Sequence, residues 1–220
     1  GVDPTTGDVG NFLASYTWFD AAGNTIKQQA PGQRSFTKTA YDSLGRGVKQ
    51  YVGYDLSESP CVDIGGSSSS SSSSSSCSDY TTATNVTGDT IFEQTETDYD
   101  DAGNAIETRM RRRHHDATGT GELTTPAGSQ PRARVSYAAS YTDAAGRQQA
   151  TANYGTNGDV ALTRSSTVPT RSDTILVTST EYNDVGQAYK TIDPSGKEDR
   201  TYFDDAGRVT KTVENYTDGD

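Results

Sequence analysis

The sequence predicts an all-β fold built from serial antiparallel β-hairpins. One short motif occurs six times in the 220 residues: an aromatic-led strand end, Asp or Asn, two further residues and Gly. Around these motifs, side chains alternate with the period of two that is typical of strands. Hydrophobic residues make up 30% of the chain, whereas ordinary globular domains contain about 45 to 50%. We therefore expect a repetitive sheet in place of a compact aliphatic core.

The spacing of the motif indicates a repeat. Its glycines lie at positions 23, 45, 103, 146, 186 and 207, so two intervals are 22 and 21 residues and two others are near twice that. The longest interval, from Gly45 to Gly103, contains a serine-rich insert. A period of this size predicts stacked supersecondary units that bury their surface against neighbouring units.

Each motif has the chemistry of a tight turn. Asp or Asn at its first position accepts hydrogen bonds from backbone N–H groups of the turn. Gly three residues later adopts the positive φ that closes a type I turn with a bulge. The residues expected to form these structural turns are Asp20, Gly23, Asp42, Gly45, Asp100, Gly103, Asp143, Gly146, Asn183, Gly186, Asp204 and Gly207.

A second class of turn lies about halfway between the motifs and contains Pro. Its members are Ala30-Pro31-Gly32, Pro126-Ala127-Gly128 and Asp193-Pro194-Ser195-Gly196. Between the two classes run strand-like stretches, such as the one in which Thr37, Thr39 and Tyr41 share a face. Alternation of the two turns predicts a long antiparallel meander of hairpins.

The phrase Tyr41-Asp42-Ser43-Leu44-Gly45-Arg46, with Pro-x-Gly turns between copies, resembles the RHS repeat, also called the YD repeat. The resemblance covers nearly the whole chain, and the stretch from Asp193 to Arg208 is another good copy. Asn24, Asn104 and Gln187 replace Arg in three copies, and Asn183 replaces Asp in one. The resemblance implies a spiralling sheet, β-shell or solenoid, with one repeat array over residues 1–220. Because each unit buries little, we expect the chain to be a segment of a longer protein or a protomer whose open sheet edges meet another copy.

Charge and hydropathy restrict the partners. Thirty acidic and nineteen basic residues give a net charge of −11, which opposes binding to nucleic acid or anionic lipid. No apolar stretch has the length of a membrane span, so we expect no membrane insertion. The basic cluster from Arg109 to His115 is expected to pair with nearby acids on a solvated strand. Contact with an anionic glycan is the alternative for this cluster.

The insert between Cys61 and Cys77 contains ten consecutive serines, Ser67 to Ser76. Such a tract buries too little apolar area to offset its chain entropy, so we expect a disordered loop. A disulfide between the two cysteines would close this loop and contribute about 3 kcal/mol. Two buried free thiols are the alternative. The disulfide implies a location outside the cytosol, at the cell surface or beyond it.

Two sequences fit the pattern for N-linked glycosylation. They are Asn85-Val86-Thr87 and Asn215-Tyr216-Thr217. The serines of the insert are a further hypothesis, for sugar linked to oxygen. These modifications agree with an extracellular location.

We expect no catalytic residue, cofactor or metal site. The only histidines, His114 and His115, are adjacent, so on a strand they would point to opposite faces. No nucleophile motif surrounds them. The string Asp193-Pro194-Ser195-Gly196-Lys197 is similar to the self-cleavage motif of RHS proteins. It lacks residues that the motif requires, because Ala188 stands in place of Pro. A calcium site near Asp98, Asp100 and Asp101, or near Asp204 and Asp205, is an alternative to simple turn capping.

Two functions from different classes remain open. In the first, the chain is an extracellular or cell-surface structural protein, such as a shell, stalk, adhesin or self-assembling fibre, as teneurin-like surface proteins suggest. Its partners would then be neighbouring repeats, head-to-tail copies of itself, or cell-surface glycans and proteins. In the second, the chain is a wall segment of the hollow cocoon that insecticidal toxin complexes and polymorphic toxins build around a payload. The sequence is still repeat-like at Asp220 and contains no toxin domain, which favours the first function.

Overall fold

A computed structural model describes residues 15–31, 33–55 and 80–217. Within these ranges, no helix is both long and apolar enough to cross a membrane. One short helix, α1 (Tyr80–Thr84), precedes the fifth strand, and a 3-10 turn covers Asn157–Asp159. The strands are β1 (Tyr16–Phe19), β2 (Thr25–Gln29), β3 (Ser35–Tyr41), β4 (Gly47–Tyr54), β5 (Thr90–Tyr99), β6 (Ala105–Arg113), β7 (Ala133–Thr142), β8 (Gln148–Gly155), β9 (Leu176–Tyr182), β10 (Ala188–Ile192), β11 (Glu198–Phe203) and β12 (Val209–Val213).

The twelve strands form one sheet in which the strand order is the chain order, from β1 to β12. The pairs whose register is defined are antiparallel, for example β3 with β4 and β11 with β12. The prediction of an all-β fold of serial antiparallel hairpins is therefore confirmed. Each predicted motif connects an odd-numbered strand to the even-numbered strand that follows it.

The described residues fall into two compact units. The first is drawn from Gly1–Glu96 and Arg111–Arg134, and the second from Thr97–Met110 and Val135–Asp220. Each unit has its own small hydrophobic cluster, in agreement with the low content of large aliphatic residues.

The core of the first unit mixes aromatic, aliphatic and charged side chains. Its hydrophobic cluster consists of Phe36, Tyr51, Val86, Ile91, Leu123 and Ala133. Beside Phe36 on β3, the Lys38 ammonium lies 2.6 Å from a carboxylate oxygen of Asp89, and both side chains are buried. Lys38 also donates to the carbonyl oxygens of Thr82 and Asn85, at and just after the end of α1. A buried lysine thus ties the connection between β4 and β5 to the sheet.

The core of the second unit consists mainly of Tyr, Ala and Val. Its buried residues are Val135, Tyr137, Ala139, Tyr141, Ala150, Ala152, Tyr154 and Val177. Small alanines alternate with tyrosines on β7 and β8, and the hydroxyls of Tyr141 and Tyr154 lie 2.9 Å apart. The segment between β8 and β9 packs Leu162, Val168 and Ile175 against this cluster. Tyrosine therefore provides the large side chains of this cluster.

Three local features differ from the sequence-based expectation or extend it. The dipeptide Asn157-Gly158 is typical of a two-residue hairpin turn. Its residues have positive φ values of 50° and 64°, but they lie in the long connection between β8 and β9 and do not form such a hairpin. The Asp193 turn has the hydrogen bonds of the repeated motif: Gly196 N donates to Asp193 O at 3.0 Å, and Lys197 N to Asp193 Oδ1 at 2.9 Å. His114 and His115 follow β6 in a turn instead of lying on a strand.

Candidate functional site: the row of corners

The six predicted turns share one backbone geometry, which we call a corner. A corner comprises five residues, from Asp or Asn to the residue after Gly. In the corner from Asp42 to Arg46, Gly45 N donates to Asp42 O and Asp42 N donates to Arg46 O, both at 3.0 Å. The same two bonds, at 2.8 to 3.1 Å, occur in the corners that begin at Asp20, Asp100, Asp143, Asn183 and Asp204. The six corner glycines, Gly23, Gly45, Gly103, Gly146, Gly186 and Gly207, have φ between 77° and 88°.

The first side chain of each corner is an acceptor for the backbone. In the Asp143 corner, one carboxylate oxygen accepts from Ala145 N and from Arg147 N, each at 2.9 Å. The bond from the fifth residue's N–H recurs in all six corners. Each of these Asp or Asn side chains is therefore engaged by its own turn, which leaves the turn as its evident role.

The fifth residue completes a side-chain contact that sequence analysis overlooked, and we call it the clamp residue. Arg147 Nε donates to Asp143 Oδ2 at 2.8 Å, and equivalent bonds come from the clamp residues Asn24, Arg46, Asn104 and Arg208. In the corner that begins at Asn183 the direction is reversed, because the neutral amide Nδ2 donates to Gln187 Oε1 at 2.8 Å. The detectable signal was the identity of the residue after Gly, which is Asn, Arg or Gln in every copy.

These hydrogen bonds stabilise the ionised form of the corner carboxylates. The side-chain donors of Asn24, Asn104 and Arg147 are the largest cause that lowers the pKa of Asp20, Asp100 and Asp143 below its ordinary value. For Asp42 and Asp204, the backbone N–H of the clamp residue is the largest cause of a lowered pKa. The carboxylates are thus held charged and are poor candidates for a general acid.

Successive corners also contact each other through the aromatic residue that precedes them. Tyr41, just before the second corner, donates its hydroxyl to Thr25 O at 2.9 Å, and Thr25 follows the clamp residue of the first corner. Tyr182, just before the fifth corner, donates in the same way to Gln148 O at 2.9 Å, after the clamp residue of the fourth. Tyr41 and Tyr182 therefore each join their own hairpin to the preceding one.

The clamp residue reaches toward the next corner from the other side. The guanidinium carbon of Arg147 lies 4.4 Å from the centre of the Tyr182 ring, a cation–π distance. A Cβ placed on Gly186 would lie 3.3 Å from Arg147 Nη1, and one on Gly207 would lie 3.0 Å from Gln187 Nε2. The clamp of one corner thus occupies the space next to the glycine of the following corner.

The close contact between a clamp residue and the glycine of the following corner does not occur at every corner. A Cβ on Gly45 would approach the Asn24 amide only to 3.9 Å, and one on Gly146 would meet no described atom within 4 Å. Between the corners that contain Asn104 and Gly146 lies a groove of about 500 Å³. Among Gly23, Gly45, Gly146, Gly186 and Gly207, the tight contacts are therefore those of Arg147 with Gly186 and of Gln187 with Gly207.

The clamp and aromatic residues of the corners differ in exposure. The Arg208 side chain is 80% exposed, whereas the side chains of Arg46 and Arg147 are 28% and 38% exposed. At the other end of the strand order, the ring of Phe19, which precedes the first corner, is 56% exposed. A Cβ on Gly23 would meet no atom of the described residues within 4 Å.

Three arginines of the basic cluster pair with acids, as expected, but the pair of Arg111 and Glu96 is largely buried and not solvated. Arg109 binds both carboxylate oxygens of Asp98 at 2.7 Å. Arg111 forms an ion pair with Glu96, and Arg112 with Glu93. Arg113 donates to three backbone carbonyls, those of Ile91, Ala117 and Gly119.

One buried acid belongs to neither a corner nor the basic cluster itself. Glu107 on β6 is only 7% exposed, and its carboxylate accepts from Arg109 at 3.2 Å. Burial raises the pKa of Glu107, although the charge of Arg109 acts in the opposite direction. Sequence analysis could not single out this residue among the 30 acids of the chain.

The remaining predicted site residues lie apart from the row of corners. Cys61 and Cys77 lie outside the described residues, as do Ser67 to Ser76. Asn85 and Asn215 are both exposed. Over residues 15–31, 33–55 and 80–217, no three His, Cys, Asp or Glu side chains are grouped as a metal site would require.

Comparisons with known proteins give similarity only at the level of structure. No family model matches the sequence, and no curated protein matches it. The crystal structure of TcdB2-TccC3-TEV matches over 87% of this chain and 8% of its own, with 10% identity and a TM-score of 0.35.

Two further structures match at similar levels. The Tc holotoxin pore of Photorhabdus luminescens with a TccC3 mutation matches over 91% of this chain and 11% of its own, with 13% identity and a TM-score of 0.27. The crystal structure of TcdB2-TccC3 matches over 91% and 14%, with 12% identity and a TM-score of 0.26. The chain therefore spans a small part of the length of the proteins that it resembles.

Proposed function

We propose that this chain is a non-catalytic structural strip of YD-repeat hairpins that works outside the cell or at its surface. The observation that carries the proposal is the row of corners, because the repeated polar residues form hydrogen bonds within their own hairpins. The carboxylates of these corners, a group typical of catalytic sites, therefore stabilise turns. What the strip offers to other molecules is its polar faces.

Low burial in single hairpins supports the same role. β12 has exposed side chains at four of its five positions, and a two-stranded hairpin alone is only marginally stable. Each hairpin therefore gains stability from its neighbours, as in repeat architectures. A protein built in this way suits a shell, stalk, adhesin or fibre subunit.

The partner surface that we propose for cell-surface glycans or proteins is the groove between the fifth and sixth corners. It has a volume of about 860 Å³ and is lined by Tyr189, Arg200 and Tyr202, among others. Aromatic rings and a guanidinium in an open groove can both stack against and hydrogen-bond to a polar partner. An array of glycans probed with wild type and with Tyr202→Ala tests this part: the bound signal should fall in the variant.

The extracellular location is tested in the source cells. Limited protease treatment of intact cells, followed by immunoblotting, should remove the protein while a cytosolic marker survives. Intact mass of the purified protein, before and after reduction and alkylation, should reveal a bond between Cys61 and Cys77. Mass added at Asn85 or Asn215 would show glycosylation where the source carries out that modification. A protein that is protected from protease and has two alkylatable thiols as isolated would contradict the proposal.

A further inference from the structure

The second unit contains a polar groove beside the corner that begins at Asp100. The groove has a volume of about 530 Å³. Strand ends of the sheet line one part of it, and the connection between β8 and β9 lines another. Its lining includes Asp100, Tyr141, Gln149, Arg164, Ser166 and Thr167. One guanidinium and several neutral polar groups therefore share a single open groove.

The Arg164 side chain is held in this groove by neutral groups. Its Nε donates to Ile106 O at 3.1 Å, and its Nη2 donates to Ser140 O at 2.8 Å. Its guanidinium carbon lies 4.5 Å from the centre of the ring of Tyr141, which is buried. The guanidinium is thus oriented before a ligand arrives, which lowers the entropic cost of binding.

These contacts leave part of the donor capacity of Arg164 unused. A guanidinium has five N–H groups, and the two carbonyl oxygens accept from two of them. Among the described residues, the acceptors of Arg164 are carbonyl oxygens, whereas Arg147 and Arg208 bind the carboxylates of their own corners. The remaining N–H groups of Arg164 can therefore donate to an anionic ligand in the groove.

The charges near Arg164 favour a ligand with a single negative charge. Asp100 lines the groove, and its hydrogen bonds with Asn104 lower its pKa and keep it ionised. Burial raises the pKa of Glu107, and the charges of Arg109 and Arg164 act in the opposite direction, so Glu107 also lies within the field of Arg164. Two acids near one guanidinium oppose the entry of a doubly charged phosphate or of a polyanion.

The neutral side chains of the groove suit hydroxyl groups. Gln149, Ser166 and Thr167 are exposed, and an amide or a hydroxyl can both donate and accept hydrogen bonds. We propose that this groove binds an acidic saccharide, with the carboxylate of a uronic acid on Arg164 and the sugar hydroxyls on these three side chains. This inference rests on the proposed contact with glycans and names an acidic ligand at a second site, apart from the groove between the fifth and sixth corners.

Substitutions at Ser166 test the charge of the ligand at a position where the fold tolerates change, because this side chain is exposed. Ser166→Asp places a carboxylate in the groove and should weaken binding of the acidic sugar by about fivefold or more through repulsion. Ser166→Asn is the matched control, since it has nearly the shape of Asp without the charge, and it should weaken binding less.

Arg164→Ala removes the guanidinium that holds the carboxylate and should abolish saturable binding. Its control is Arg171→Ala, which removes another guanidinium that donates to a backbone carbonyl, in that case Val177 O. The control variant should bind like wild type.

A heteronuclear NMR titration of the full chain provides the measurement, with three probes. They are glucuronate, glucose, which has CH₂OH in place of the carboxylate, and acetate, which lacks the hydroxyls. Glucuronate should bind saturably, shift the amides of residues 164–168 and bind more tightly than the other two.

Equal affinity for glucose would overturn the proposal, because the carboxylate would then make no difference, and equal affinity for acetate would do so for the hydroxyls. It would also be overturned by the absence of a saturable shift with glucuronate, by shifts confined to other residues, or by equal losses in Ser166→Asp and Ser166→Asn. These results would leave the structural role standing, since protease treatment of intact cells tests that role separately.

Discussion

At the scale of single residues, the corners combine a conformational requirement with a polar clamp. The requirement is the positive φ at the fourth position, which glycine meets without steric cost. The clamp matches donors to acceptors: Asp143 faces the donor Nε of Arg147, whereas the amide of Asn183 faces the acceptor Oε1 of Gln187. Differences between copies of the motif therefore preserve hydrogen bonding.

The corner aspartates should make stability depend on acid pH. Their pKa values are lower in the folded chain than in the unfolded chain, where Asp titrates at about 3.9. Their contribution is therefore complete above that value and is lost as pH falls through the lowered folded pKa. Urea denaturation at a series of acid pH values should show a falling free energy of unfolding.

Two corner variants test whether the corner aspartates cause this decline of stability in acid. Asp143→Asn removes one titrating corner and should make the decline shallower, while Asn183→Asp adds one and should make it steeper. Equal slopes for wild type and both variants would show that the corners do not cause the decline.

Glu107 should have the opposite pH dependence. Burial raises the pKa of Glu107, so its ionisation opposes folding as pH rises above the unfolded value of about 4.3. Glu107→Gln should thus be more stable than wild type at neutral pH, with the difference disappearing in acid, because Arg109 keeps its two bonds to Asp98. Thermal unfolding at neutral and acid pH measures this; a neutral-pH loss of stability in the variant would contradict it.

At the scale of elements, close approach of strands explains a glycine that the motif does not require. A Cβ on Gly53 of β4 would lie 2.6 Å from the carbonyl oxygen of Thr90 and 2.9 Å from Ile91 Cδ1 on β5. The backbone oxygen cannot move away without disturbing the pairing of the two strands. We expect Gly53→Ala to lower the free energy of unfolding by about 1 to 3 kcal/mol.

Gly47→Ala on the same strand is the matched control for Gly53→Ala. A Cβ there would lie 3.5 Å from Thr39 Cγ2, which is an ordinary contact. In urea denaturation this variant should stay close to wild type. If both substitutions were equally harmful, the close approach at Gly53 would not be the cause.

The buried pair of Lys38 and Asp89 fixes α1 and its flanking connection. Lys38→Met would leave the Asp89 carboxylate buried without its cation, which typically costs about 3 to 5 kcal/mol. The double variant Lys38→Met with Asp89→Leu removes both charges and should recover much of this loss. Urea denaturation of the four species forms a double-mutant cycle, and additive effects in it would show that the two residues are not coupled.

The sequence contained enough information for the hairpins but not for their connections. The period and the Asp-x-x-Gly chemistry are local signals, so the strands around Asp42 and Asp204 could be located. Burial of Lys38 depends on Asp89, 51 positions later, and a strand pattern would place a lysine toward solvent. Likewise Asn157-Gly158 has the local preference of a hairpin, but packing of Leu162 and Val168 on the second core determines the path of that connection.

At the scale of the whole molecule, the twelve described strands form one sheet of consecutive hairpins, in the order β1 to β12. The row of corners explains why polar and small residues are sufficient to hold the sheet together. Each hairpin is closed by its own hydrogen bonds and is covered by its neighbours.

Amide hydrogen exchange resolved by residue is the most direct test of this arrangement. Strands β2 to β11 should protect consecutive amides apart from bulges, since alternate N–H groups bond to the strands on either side. The glycine amide of every corner should also exchange slowly. Fast exchange of every second amide within one of these strands would contradict the serial sheet.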